Sequence, residues 1–209
     1  MNAGTLTTQS PPPRDSDRTQ ILALVPLGIA LNLALGTIVH ALKLPIYVDA
    51  VGSVLVTLVA GVWAGIVVGV ASFLIGGILV NPVLPWFSGT QAAIAIYVHL
   101  VARRGGFRSW GRTVVAGIGL GLVAGVVSAP VIVALFGGIT GSGASLVVAF
   151  LLASGKSVVN SVILSGLAAE PLDKALQCAL AVWILRQLPP GLLARFRGGS
   201  LRTNGLVRT

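Results

Sequence analysis

One cysteine, two histidines and five acidic residues among 209 leave little from which to build chemistry. A single Cys178 cannot form a disulfide or a thiolate metal cluster within one chain. His40 and His99 have no second histidine three or four positions away and no adjacent carboxylate, so no metal site is expected. Serines, threonines and asparagines are scattered, and no nucleophile, base and orienting group stand together at a readable spacing, so the chain does not read as an enzyme and implies no cofactor. "ASGKS" (153–157) lacks the first glycine of a phosphate-binding loop, because position 150 is Phe; nucleotide binding is excluded on that ground.

What is abundant is apolar sequence: 55% of residues are hydrophobic and 9% charged. The apolar residues come in long blocks, the signature of an integral membrane protein. Net charge is +9, yet the eleven arginines lie in the tails, in the 103–112 loop and just after the last apolar block. Membrane topology accounts for that distribution without nucleic acid.

A membrane crossing takes about 20 apolar residues. Residues 21–42 supply one; the uncharged run 50–80 divides near Gly61 into two short helices; 87–102, 113–135 and 172–188 supply three more. The block 145–169 is long enough to cross but carries Lys156 at its middle. If it crossed, the arginine-rich C-terminus would face outward, so the positive-inside rule favours a segment that dips in and returns or lies at the surface. The expectation is all-α: a six-transmembrane-helix bundle with an extra re-entrant or interfacial helical segment before the last helix. It is flanked by a disordered cytoplasmic tail (1–20) and a basic cytoplasmic tail (189–209), the embedded domain being 21–188.

With both termini cytoplasmic, the outer face collects Lys43, Tyr47, Asp49, the "NPVLPWF" loop with Asn81 and Trp86, and the segment holding Lys156, Asn160, Glu170, Asp173 and Lys174. A polar cluster on one side of an apolar bundle reads as a small-molecule site. Asp49 is either a cap for the second helix or part of that site. Lys156 is either a ligand contact or a lysine that snorkels to the interface. Tyr47 and Trp86 offer ring faces for stacking. Gly61, Gly65 and Gly69, and likewise Gly117, Gly121 and Gly125, form smooth helical strips that read as packing surfaces; Ala30 and Ala34 make a weaker strip of the same kind.

"ALNLA" (30–34), the stretch "LPIYVDAVGSVLVTLVAGVWAGIVVGVASFLIGGI" (44–78) and "PLDKAL" (171–176), in that order, resemble the substrate-binding S components of energy-coupling factor (ECF) transporters, particularly the riboflavin-type vitamin group. The resemblance covers 21–188. It implies a six-helix protein that captures a vitamin or vitamin precursor at the extracytoplasmic face; from the outer polar cluster, Lys43, Tyr47, Asp49, Asn81, Trp86, Lys156 and Asn160 are the residues expected to hold it. Ala30 and Ala34 would dock a transmembrane T subunit, and two separate ABC ATPase subunits would supply the energy in the cell membrane. "GVWAG" at 61–65 departs from the family's usual Gly-Pro turn, and the 145–169 block is longer and more apolar than its counterpart. A self-sufficient carrier or a membrane ligand sensor is the alternative.

Overall fold

In a computed structural model the described part of the chain is all-helical. The structure describes residues 15–189, of which 15–22 by backbone alone; the rest of both tails lies outside the described residues. Seven α-helices follow in order: α1 (Asp15–Ala41), α2 (Val51–Ala60), α3 (Val62–Leu79), α4 (Ser88–Arg103), α5 (Trp110–Phe136), α6 (Ala144–Ala153) and α7 (Val158–Gln187), with a short 3-10 turn, Leu84–Phe87, before α4.

The helix boundaries follow local chemistry. Ser109 and Ser157 accept the free amides of Arg112 and Asn160 at the starts of α5 and α7, and Gly137 ends α5 in the left-handed region, φ 56°. Gly61 separates α2 from α3 at φ 96° and ψ 177°, a backbone geometry that a Cβ makes costly. The expected division of the 50–80 run at this glycine is therefore observed.

The molecule is apolar outside and polar within. Trp63, Ile78 and Val126 are 78%, 86% and 74% exposed, whereas Asn32, Ser53, Ser72 and Gln91 are buried. Water would reverse that order; hydrocarbon favours it. Among the described residues, three helical stretches are long and apolar enough to span a bilayer: Ala23–Ala41, Val62–Leu79 and Trp110–Phe136. They suggest a multi-pass membrane protein.

Small residues set the helix contacts. A Cβ added at Gly117 would strike the backbone of Ala175, and one at Gly121 would strike Glu170 and Pro171, so α5 and α7 lie backbone to backbone. Gly52 meets the Gly28 carbonyl in the same manner, joining α2 to α1. Gly117 and Gly121 are thus packing positions, as their spacing implied, whereas Gly61 of the other strip is the helix break and Gly125 borders a cavity.

One expected boundary is not where the sequence put it. The last helix does not open at 172: α7 runs unbroken from Val158 through Pro171. The second half of the 145–169 block thus belongs to the last helix, and only α6 remains as the extra short segment. Proline within a helix removes one backbone donor, a loss that membrane helices accommodate.

Candidate functional site

The connection from α1 to α2, residues 42–50, has no regular structure, and it folds back toward the bundle. Asp49 packs beside Gly36, so it sits about one and a half turns below the end of α1, roughly 7 Å at 1.5 Å per residue. Irregular backbone at that depth needs partners from the protein. Helix α7 supplies most of them. Asp173 Oδ1 accepts hydrogen bonds from the amides of Tyr47 and Val48, each at 3.0 Å, and Gln177 Oε1 accepts from the amide of Ala50 at 2.8 Å. From α1, Asn32 Oδ1 accepts from the amide of Gly52 at 2.7 Å. Val48 is held at φ 47°, uncommon for a β-branched residue, and its N–H donates a hydrogen bond to Asp173 in that conformation.

Asp49 does not cap α2. The helix has no side-chain cap of its own, and its first amides are served by Gln177 and Asn32 from other helices. The capping reading of Asp49 is therefore corrected: its carboxylate is directed to Lys174, with Oδ1 3.4 Å from Nζ.

Lys174 is surrounded by acids. Its ammonium lies 2.6 Å from Asp173 Oδ2 and 3.6 Å from Glu170 Oε2, besides Asp49, and 5.4 Å from the centre of the Tyr47 ring. A buried lysine needs such company, since an unpaired charge there would cost several kcal/mol. Gln177 also donates to Asp173 Oδ2 at 2.7 Å. Burial raises the Asp49 carboxyl above its ordinary range, opposed chiefly by the Lys174 charge. Burial and the Glu170 charge likewise raise the Tyr47 phenol, keeping it protonated.

A neutral network continues from this cluster. Asn32 Nδ2 donates to Ser53 Oγ at 2.8 Å and to Ser72 Oγ at 3.2 Å, and Ser53 Oγ donates to Gln91 Oε1 at 3.2 Å. Between the network and the ionic cluster lies a cavity of about 120 Å³, lined by Asn32, Gln91, Tyr47, Asp49, Glu170 and Lys174 among others. A second, more apolar cavity of about 510 Å³ runs between α5, α6 and α7 and shares Tyr47, Ser142 and Glu170 with the first. Two polar atoms beside the smaller cavity, Thr90 Oγ1 and Glu170 Oε2, are buried without a hydrogen-bond partner.

Of the residues expected at the site, Tyr47, Asp49 and Asn81 line the smaller cavity. Asn81 also closes its own turn by accepting the Val83 amide at 3.0 Å. Lys43, Trp86, Lys156 and Asn160 line neither cavity and are exposed. Lys156 falls at the α6–α7 turn, where Ser157 and Gly155 shape the chain reversal, and Asn160 lies in the first turn of α7. Glu170, Asp173 and Lys174 were placed in the outer polar cluster but not named as ligand contacts, and Gln177, Asn32 and Gln91 were not among the candidate site residues. The sequence held a signal for four of them: positions 170, 173, 174 and 177 have the spacing of one helical face, and that face is polar in an apolar helix. Among the described residues no group of three or more His, Cys, Asp or Glu is arranged to hold a metal ion.

No protein-family model, curated protein or solved structure matches this chain.

Proposed function

We propose that the chain is a membrane-embedded receptor for a small solute, acting as the S component of an ECF-type ABC importer that takes up a vitamin or vitamin precursor. The observation that carries this reading is the recessed cavity with Asp49, Glu170, Lys174 and Tyr47 on one wall and Asn32 and Gln91 on another, inside an otherwise apolar bundle. Ionisable groups at that depth are costly, and a binding site is the usual reason for them. In this reading α1, α2, α3, α4, α5 and α7 are the six crossings. Both termini are cytoplasmic, and the cavity faces the extracytoplasmic side. The arginines at the opposite ends of α4, α5 and α7 support that orientation.

Ala30 and Ala34 are exposed on α1, available to a T-subunit helix, which supports docking there. Substrate would enter the cavity from outside, and two partner ATPases would drive delivery inward; the chain itself does no chemistry. A self-sufficient carrier or a ligand sensor would use the same cavity without those partners.

Native mass spectrometry of the purified full chain, looking for a copurified small molecule, tests the receptor reading. Uptake assays with and without coexpressed T and ATPase subunits separate the importer from both alternatives. Uptake by the chain alone refutes the S-component assignment. Ala30→Trp and Ala34→Trp should abolish copurification of the T subunit and leave ligand binding intact.

A further inference from the structure

The ionic cluster divides into two parts with different duties. Asp173 is fully committed: Oδ1 takes two backbone amides, and Oδ2 takes Lys174 Nζ and Gln177 Nε2. Asp173 and Lys174 form a neutral pair that builds the loop, and the ammonium gives Asp49 only a longer hydrogen bond of 3.4 Å. Asp49 and Glu170 are left over. Each reaches the same ammonium only at long range, 3.4 and 3.6 Å, after its shortest bond has gone to Asp173. Both line the smaller cavity.

Glu170 Oε2 adds an independent indication. Its residue is only 7% exposed, and the oxygen, 3.6 Å from the Lys174 ammonium, receives no hydrogen bond. A buried acceptor left in that condition is unfavourable, and a native site tolerates it where something else satisfies it. The cavity therefore presents two acidic groups against one ammonium that is already engaged. An anion entering here would meet like charge. An inorganic ion would exchange its water for a lining that includes Phe73, Phe87 and Ile132, and no three-ligand set exists among the described residues to compensate it.

We infer that the occupant of the smaller cavity is a compact organic cation, its positive nitrogen held by Glu170 and Asp49 and its apolar body against Phe73, Phe87 and Ile132. The volume of about 120 Å³ fits a single charged ring or head group; any larger apolar part extends into the adjoining cavity past Tyr47. This inference rests on the reading of the cavity as a ligand site and adds the charge class of the ligand.

The test uses one ring in three charge states. Pyridoxamine, pyridoxine and 4-pyridoxic acid carry an ammonium, a hydroxyl and a carboxylate on the same framework, and thiamine serves as a larger cation. Binding to the full chain in detergent is measured by titration calorimetry and by thermal shift. The expected order is amine over alcohol over acid, each step roughly tenfold, a modest value for charge pairing in a desolvated site. Glu170→Gln should bring the amine-to-alcohol ratio close to one, and Asp49→Asn should reduce it independently, so the test survives if either variant fails to fold. Binding with a flat or reversed charge order, or a ratio unchanged in both variants, overturns the charge assignment while leaving a small-molecule site in place. Failure of all four probes to bind, with no molecule copurifying, overturns the ligand-site reading and this inference with it.

Discussion

Replacing Asp173 by alanine removes a carboxylate that has four partners and no solvent exposure. Two backbone amides, those of Tyr47 and Val48, lose their acceptor, at about 1–3 kcal/mol each when buried. Tyr47 is only partly buried, so its share falls at the low end. Lys174 loses its shortest ion pair, and breaking a buried pair costs about 3–5 kcal/mol. Asp49 and Glu170 remain beside the ammonium and reduce that share. The contributions overlap, and a total loss of about 4 kcal/mol is expected, a large part of the roughly 5–15 kcal/mol that holds a domain folded. Asp173→Asn separates the parts. It keeps Oδ1 for the two amides but sets an amide nitrogen against Lys174 and Gln177, so it should lose about 2 kcal/mol, chiefly the charge share. Chemical unfolding in detergent micelles, followed by tryptophan fluorescence, gives both values. An alanine variant within about 1 kcal/mol of wild type would refute the claim that this carboxylate holds the 42–50 connection in place.

Further outcomes follow from the packing. Gly121→Leu should separate α5 from α7 and cost about 1–3 kcal/mol or more, whereas Gly166→Ala, with open space at its Cβ position, should be neutral or stabilising by up to about 1 kcal/mol; thermal unfolding of both variants compares them. Asn32→Leu strands the Gly52 amide and should cost about 1–3 kcal/mol, with faster hydrogen exchange at the start of α2 as the local readout. Lys156→Ala and Asn160→Ala should leave ligand affinity unchanged in the calorimetric titration, since both are exposed and line neither cavity.

The parts of the fold legible in the sequence were those written in local chemistry. The break at Gly61, the stop at Gly137 and the arginine-bearing connection between α4 and α5 all fall where residue type dictates backbone or solvent preference. The course of α7 was not legible for the same reason read backwards: Glu170, Pro171, Asp173 and Lys174 look like the boundary of an apolar block, and each alone argues against a buried helix interior. Only a partner presenting unpaired backbone amides makes that face favourable, and the partner is a loop more than a hundred positions earlier in the chain. Lys156 drew attention because it sits centrally in an apolar run, but position along a run carries no information about distance to Asp49. Tyr47 and Asp49, which line the smaller cavity, stood out in the sequence because a carboxylate beside a long uncharged stretch is conspicuous in one dimension as well as in three.

The unbroken course of α7 also makes it a mechanical member. Glu170 borders the cavity, and Arg186, on the same helix, covers the ring of Trp110 with its guanidinium 4.6 Å from the ring centre. About 24 Å of continuous rod joins them. A residue that borders the cavity and a residue that covers Trp110 at the far face thus keep a fixed register on one backbone.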